Sequence, residues 1–204
     1  MEHPDTATYY NNIAFVYASQ GNYTKALEWY QKALDIREKV LGVEHPDTAN
    51  SYNNIAYVYS SQGDYPKALE WYHKASAICE KALGKEHPDT ATTYNNIAGV
   101  YDSQGDYPKA LEWYQMALAI YEKVLGKEHP STATTYNNIA LVYDRQGGYP
   151  KALEWYGKSY KILLRVLGDR HPDTGVVKSN MKYAYEESGL REPFDQWLKK
   201  QNKD

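Results

Sequence analysis

The sequence predicts an all-α fold, a right-handed solenoid of antiparallel helix pairs stacked side by side. Two observations predict it. The dipeptide His-Pro returns every 42 residues, starting at residues 3, 45, 87, 129 and 171. Each interval holds two apolar runs with helical spacing, separated by a glycine. We therefore predict one domain over residues 1–204, with four full repeats and a degenerate C-terminal capping repeat: 3–44, 45–86, 87–128, 129–170 and 171–204.

The first helix of each repeat follows the His-Pro dipeptide. In the third repeat, Tyr94, Ile97, Ala98 and Tyr101 fall at i, i+3, i+4 and i+7, which is one face of a helix. The acid that follows His-Pro, such as Asp89, is expected to cap this helix or to lie in its first turn. The fourth repeat carries Ser131 there, another capping residue type.

The second helix follows a turn of the type Gln-Gly-Asp-Tyr-Pro. Gly105 suits the left-handed conformation that ends the first helix, and Pro108 suits the first turn of the second. Gly126 is expected to end the second helix in the same way. A tryptophan recurs in phase on this helix, and we expect it to pack between neighbouring second helices: Trp29, Trp71, Trp113 and Trp155.

The two ends of the array differ. No capping element precedes the first repeat, so the chain is expected to be a truncated, excised or engineered array whose first helix exposes a stacking face. End-to-end self-association through that face is the corresponding hypothesis. At the other end, Lys178 and Lys182 replace interior residues, and a short amphipathic stretch around Trp197 is expected to close the fifth repeat.

The pattern Tyr94-x2-Ile97-Ala98-x2-Tyr101, followed by Ala110-x3-Tyr114, resembles the tetratricopeptide repeat, with tyrosine for tryptophan and phenylalanine and alanine for glycine. The 42-residue length is similar to the longer repeats of kinesin light chains and of bacterial proteins with light-chain-like repeats. The resemblance covers residues 2 to about 190. It implies the fold and a class of function, because such repeats occur in cargo adaptors, in sensor arms of bacterial signalling ATPases and in scaffolds.

Composition excludes several function classes. The net charge of −3 argues against a nucleic-acid partner, which calls for a basic surface, and against an anionic membrane. No apolar run approaches the length of a spanning helix, and no signal peptide is evident, so the cytoplasm is the expected location. Cys79 is the single cysteine, and we expect an inert thiol.

The sequence contains no recognisable set of catalytic residues. The five His-Pro histidines are one repeat apart and do not converge, so no metal site is predicted. Glu112 and Glu122 stand beside lysines at surface spacing, which indicates a solvated face. No nucleotide-binding loop or nucleophile motif is present. We predict no catalytic residue and no cofactor.

The asparagine pair in each first helix calls for an explanation, because asparagine is a mediocre helix former. The pairs lie at Asn11 and Asn12, Asn53 and Asn54, Asn95 and Asn96, and Asn137 and Asn138; Asn180 keeps the second position. The resemblance implies that the first helices line a concave groove and that asparagines there bind a peptide backbone. An amide offers a donor and an acceptor side by side, as that role requires. The alternative is that one asparagine of each pair caps a helix or bridges adjacent repeats.

Three columns on the same helices vary between repeats, as a binding surface does and a packing surface does not. The first column holds Phe15, Tyr57, Gly99, Leu141 and Tyr183, and Gly99 is expected to leave a pocket between larger neighbours. The next two columns become more acidic along the chain and include Asp102, Asp144 and Arg145.

These features predict a non-catalytic scaffold that binds an extended protein or peptide segment of apolar and neutral-to-basic residues. The alternative is a structural or engineered repeat array, or the excised arm of a larger protein, whose groove has no dedicated ligand.

Overall fold

The computed structural model of the protein describes residues 3–201. The two ends of the predicted domain, residues 1–2 and 202–204, lie outside the described residues. Over the described residues the secondary structure is entirely helical, without strands. The helices are α1 Pro4–Ser19, α2 Tyr23–Leu41, α3 Pro46–Ser61, α4 Tyr65–Ala82, α5 Pro88–Ser103, α6 Tyr107–Val124, α7 Pro130–Arg145, α8 Tyr149–Val166, α9 Pro172–Glu187 and α10 Phe194–Gln201.

The chain forms two compact units, Met1–Gln104 and Gly105–Asp204. In unit 1, α1 packs on α2, α2 on α3, α3 on α4 and α4 on α5. In unit 2, the same succession runs from α6 to α9, and α10 packs on α9. This pairing of consecutive helices confirms the predicted fold class.

The core of each unit forms where consecutive repeats meet, because one helix pair cannot bury its apolar face alone. In unit 1, Leu34 of α2 and Ile55 and Val58 of α3 are almost completely buried in one cluster. In unit 2, Ile139 of α7 and Met181 of α9 are equally buried. The apolar positions predicted from the periodicity are therefore the positions that stack the repeats.

The turns follow the predicted chemistry. Gly105 follows α5 with φ 78°, and Gly126 follows α6 with φ 91°, both in the left-handed region that only glycine adopts freely. Pro108 lies in the first turn of α6, as expected.

The acid after His-Pro was expected to cap the first helix or to lie in its first turn, and the second alternative holds. The histidine is the cap: Nδ1 of His87 accepts the backbone N–H of Asp89 at 3.1 Å, and Nδ1 of His129 accepts that of Ser131 at 3.1 Å. Asp89 lies one position inside the helix, in the first turn. Because the bond uses the backbone of this residue, serine can replace aspartate at 131 without loss of the cap.

Side-chain hydrogen bonds join α3, α5 and α7 to the repeat before them. The hydroxyl of Thr90 donates to the carbonyl of Gly84 at 2.9 Å, and the phenol of Tyr94 donates to Glu80 at 2.9 Å. In the fifth repeat, Lys178 stands in the tyrosine position, and its ammonium lies 3.7 Å from Asp169. An ion pair thus replaces the phenol–carboxylate bond where the sequence changes.

Trp29, Trp71 and Trp155 pack edge-on or tilted against tyrosines of the first helix of their own repeat. The expected packing between neighbouring second helices stays a prediction. The ring centroids of Tyr10 and Trp29 are 5.1 Å apart, and those of Tyr136 and Trp155 are 5.5 Å apart. A lysine ammonium lies over the outer face of the indole, as with Lys32 at 4.3 Å from the Trp29 ring.

The C-terminal helix closes the last repeat as predicted. Phe194 and Leu198 of α10 are buried. The ring of Trp197 lies 4.9 Å from that of Tyr185 in α9, whose phenol also donates to the carbonyl of Glu192 at 2.8 Å.

Candidate binding face on the first helices

Every first helix exposes a stripe of residues at equivalent positions, which we call the first-helix face. In α3 the packed side is formed by residues such as Ile55 and Val58, and the exposed or half-buried residues lie opposite. They are Asn50, Asn53, Asn54, Tyr57 and Ser61. The spacing i, i+3, i+4, i+7 puts these side chains on one side of the helix. All asparagines of the predicted site lie on this face, at equivalent positions.

The first asparagine of the pair in α3 bridges two repeats. Nδ2 of Asn53 donates to Oγ1 of Thr93 in α5 at 3.2 Å, and the Thr93 hydroxyl in turn donates to the carbonyl of Asp89 at 3.2 Å. Oδ1 of Asn53 is buried without a hydrogen-bond partner. The alternative that one asparagine bridges adjacent repeats therefore holds for Asn53. The sequence signal is a Ser or Thr 40 residues after it.

The second asparagine of the pair in α3 also makes a bond between repeats. Nδ2 of Asn54 donates to Oδ1 of Asn11 in α1 at 2.6 Å. In contrast, the described residues provide no hydrogen bond to the side-chain amides of Asn12, Asn96, Asn138 and Asn180. Asn12 is exposed, and the other three are half-buried. These four amides, all at the second position of the pair, are available to a ligand.

The variable column is accessible. Phe15 is 62% exposed, and Tyr57 and Tyr183 are each 55% exposed, although aromatic residues of this size are usually buried. Leu141 and Gly99 are half-buried. The column therefore offers apolar surface on both units. No structural observation bears on the pocket expected at Gly99, which stays a prediction.

The acidic columns are less exposed than expected. Asp102 is only 9% exposed, so it adds little surface charge. Asp144 is half-buried, and Tyr156 of α8 donates to its Oδ2 at 3.2 Å. Burial raises the pKa of Asp144, an effect that the bond from Tyr156 and the charge of Arg145 oppose. Arg145 itself is exposed. Part of the acidic character predicted for the face thus serves packing between α7 and α8.

Unit 2 contains a cavity of about 220 Å³ where α7, α8 and α9 meet, and it opens on the first-helix face. Its walls combine aliphatic groups with an amide, a hydroxyl and a carboxylate. The lining residues are Thr134, Asn137, Leu163, Asp173, Val176 and Val177. Oδ1 of Asn137 is buried there without a hydrogen-bond partner. Periodicity alone could not predict this cavity, because the two valines depart from the repeat pattern.

Reactive groups elsewhere are few. Among the residues that the structure describes, no three His, Cys, Asp or Glu side chains are grouped closely enough to hold a metal ion. Cys79 is buried, and burial raises the pKa of its thiol, which makes it less reactive. Within residues 3–201, no helix combines the length and the apolar character that crossing a membrane requires.

Comparison with known proteins agrees with this architecture. The chain is similar in structure to a candidate kinesin light chain of Podosopora anserina with nearly identical TPR-like repeats, at a TM-score of 0.76 and 28% identity over 99% of this chain and 95% of the other. BtubC (BKLC) of P. vanneervenii has the same fold, at a TM-score of 0.75 and 24% identity over 86% of this chain and 70% of the other.

No curated protein sequence matches the chain significantly. A family model does: the tetratricopeptide-repeat model matches four overlapping segments, residues 5–75, 52–123, 104–165 and 132–192. Together they span both units and include the helix pairs, the turns and the first-helix face described above. The chain therefore belongs to the tetratricopeptide-repeat family.

Proposed function

We propose that the protein is a non-catalytic scaffold that binds an extended protein or peptide segment on its first-helix face. Tetratricopeptide repeats serve in general as protein-interaction scaffolds. One observation carries it: the packing positions are nearly identical between repeats, whereas the exposed column from Phe15 to Tyr183 differs in almost every repeat. Selection for packing alone does not explain large exposed aromatic residues at such positions.

The chemistry of the face favours a ligand with apolar and neutral-to-basic residues. The exposed rings of Phe15 and Tyr57 offer apolar contacts. The amides of Asn12 and Asn96 can each give one donor and one acceptor to the backbone of an extended segment. In α9, Lys182 is paired with Glu186 at 3.8 Å, which leaves the neighbouring Glu187 as an exposed acid.

The test is capture of peptides from a random library on the immobilised whole protein, followed by measurement of their affinities in solution. We expect Asn96→Ala and Tyr57→Ala to weaken binding about tenfold, because each removes one contact worth about 1.4 kcal/mol. Gln115→Ala, an exposed change on the second helix α6, is the matched control and should change nothing. Helicity and melting temperature are measured for every variant. A library that returns only acidic peptides, or binding that resists both variants, contradicts the proposal.

The alternative is an array without a dedicated ligand. The bonds from Asn54 to Asn11 and from Asn53 to Thr93 favour it, because they give part of the asparagine pattern a structural purpose. A library that yields no specific peptide on either unit supports this alternative.

We further propose that two copies associate through α1. On this helix Tyr9 is 68%, Ile13 38% and Val16 51% exposed. The equivalents of the last two in α3, Ile55 and Val58, are at most 2% exposed because a helix pair of the same kind covers them. These exposed apolar residues are the surface that we propose to contact a second copy of this chain.

Light scattering over a concentration series tests the association. Dimers should form at high concentration, and Val16→Glu should abolish them, because it places a charge in the centre of the contact. Strictly monomeric behaviour of the unaltered chain would contradict this proposal and leave peptide binding untouched.

A further inference from the structure

The cavity in unit 2 contains an amide that has lost the partner its counterpart has in unit 1. Positions 53 and 137 are equivalent, two repeats apart, as are positions 93 and 177. In unit 1, Nδ2 of Asn53 donates to Oγ1 of Thr93. In unit 2 the equivalent acceptor is absent because residue 177 is valine. No described residue forms a hydrogen bond with the side chain of Asn137.

The buried carbonyl is not what sets Asn137 apart, since Oδ1 of Asn53 is also without a partner. The difference is the NH₂ group, which has no acceptor in unit 2 because Val177 stands at the position of Thr93. Only Oδ1 of Asn137 is buried without a partner, so its NH₂ group is reachable from solvent. A ligand can accept a hydrogen bond from this NH₂ group without breaking a bond between repeats, whereas at Asn53 it would have to displace Thr93.

The wall of the cavity is also more apolar than the equivalent surface of the other repeats. Residue 176 is valine, whereas the equivalent positions of the other repeats hold Thr8, Asn50, Thr92 and Thr134. Val176 is 55% exposed at the rim, and Val177 and Leu163 are 3% exposed at the floor. Valine at both 176 and 177 thus makes this part of the first-helix face apolar. Valine at 177 also leaves the adjacent amide of Asn137 without an acceptor.

The carboxylate of Asp173 at the rim of the cavity determines which charge is favourable on the adjacent side chain of the ligand. The side chain of Asp173 is 69% exposed, and the nearest nitrogen, Nδ1 of His171, accepts the backbone N–H of Asp173 and so does not donate to the carboxylate. The described residues provide no lysine or arginine partner for this carboxylate. It is therefore favourable for a basic group and unfavourable for an acidic one.

We propose that this cavity is a specificity subsite for an extended peptide segment that carries an aliphatic residue next to a lysine or arginine. The aliphatic side chain fills the space between Val176, Val177 and Leu163. The peptide backbone pairs with the amide of Asn137, and the basic side chain lies against Asp173. This inference rests on the proposed function and specifies where in unit 2, and for which side chains, it operates.

The decisive variant is Val177→Thr, which restores the acceptor found at Thr93. Its hydroxyl can accept the Asn137 amide and donate to the carbonyl of Asp173, as Thr93 does to Asp89. Threonine has nearly the volume of valine, so the shape of the cavity changes little. Val177→Ala is the matched control, because it removes volume without supplying an acceptor.

Two blocked hexapeptides, Ser-Gly-Val-Lys-Gly-Ser and Ser-Gly-Val-Glu-Gly-Ser, serve as probes for the isotope-labelled whole protein. We expect the lysine peptide to shift the methyl resonances of Val176 and Val177 and the side-chain amide of Asn137. Its affinity should exceed that of the glutamate peptide about tenfold and should fall about tenfold in Val177→Thr. In Val177→Ala the amide resonance should still shift.

The outcomes separate this inference from the proposed function. Equal affinity of the lysine peptide for the unaltered chain and Val177→Thr would overturn the subsite, as would shifts that leave residues 137, 176 and 177 unmoved. If the library still yields peptides whose affinity depends on Tyr57, the proposed function survives that failure. If the library yields none, both fail.

Discussion

The phenol of Tyr52 donates a hydrogen bond of 2.5 Å to Oε1 of Glu38, across the junction between the first and second repeats. The same bond joins Tyr94 to Glu80 and, in unit 2, Tyr136 to Glu122. A tyrosine at this position, unlike a tryptophan, can donate a hydroxyl hydrogen bond to a carboxylate of the preceding second helix, and this bond links consecutive repeats.

Tyr52→Phe should destabilise unit 1 by about 1–2 kcal/mol, because it leaves the Glu38 carboxylate without this donor at a half-buried junction. Urea unfolding followed by circular dichroism measures the change. Tyr59→Phe is the matched control: Tyr59 is half-buried on the same helix, and the described residues give its hydroxyl no hydrogen bond. Equal losses in the two variants would show that the bond contributes nothing.

The same phenols predict the response to alkaline pH. Burial, followed by the bond to Glu38 and its charge, raises the pKa of Tyr52 to about 12 from the ordinary value of 10.0. A phenol with a folded pKa above its unfolded one stabilises the fold fully below pH 10, and this contribution is lost as the pH rises through 12. Burial raises the pKa of Tyr94 and Tyr136 in the same way.

Titration of tyrosinate absorbance together with circular dichroism tests this expectation. The free energy of unfolding should fall steeply above pH 10, and Tyr52→Phe should show a weaker fall. A full set of tyrosines that ionises near pH 10 while the helices persist would contradict the buried phenol–carboxylate bonds.

The histidine caps give a prediction at the start of the first helices. His129→Ala should cost about 1 kcal/mol, because the backbone N–H of Ser131 loses its acceptor, whereas His129→Asn should retain most of the stability since asparagine is a good cap. Thermal unfolding of both variants decides. If alanine is tolerated as well as asparagine, the ring nitrogen contributes no cap.

The sequence predicted the helix pair of each repeat, because a 42-residue period, glycine turns and first-turn prolines each restrict the backbone. It was less successful where two polar residues compete for one role. His87 and Asp89 can both accept the N–H groups at a helix start, and only the backbone geometry shows that the histidine does so. Likewise, the sequence alone does not reveal that Asn54 meets Asn11, since that bond depends on how adjacent helices are staggered.

Asp144→Asn should raise the melting temperature at pH 7. Burial raises the pKa of Asp144, so the folded state is penalised by its charge at pH values above that pKa. As the pH falls through the folded pKa, the folded state takes up the proton before the unfolded state does, and the penalty disappears. The gain in the variant should therefore be largest at neutral pH and should vanish toward pH 4. Asparagine keeps an acceptor for the Tyr156 phenol. A destabilised variant at pH 7 would show that the attraction of Arg145 outweighs burial.

Thr93→Val is the reverse of Val177→Thr at the equivalent position. Together the two variants test whether the residue at this position determines the hydrogen bond of the asparagine in the preceding first helix. Thr93→Val removes the acceptor of the Asn53 amide, so unit 1 should lose about 1 kcal/mol of stability. Val177→Thr supplies an acceptor for Asn137, so unit 2 should become slightly more stable while its affinity for the lysine peptide falls. Stability and binding are thus expected to change in opposite directions at one position, because a single amide cannot serve both the junction and a ligand.

Urea unfolding of the two variants measures the change in stability, and the peptide titration measures the change in binding. Changes of stability with the same sign in both variants would refute the idea that residues 93 and 177 control the neighbouring asparagine.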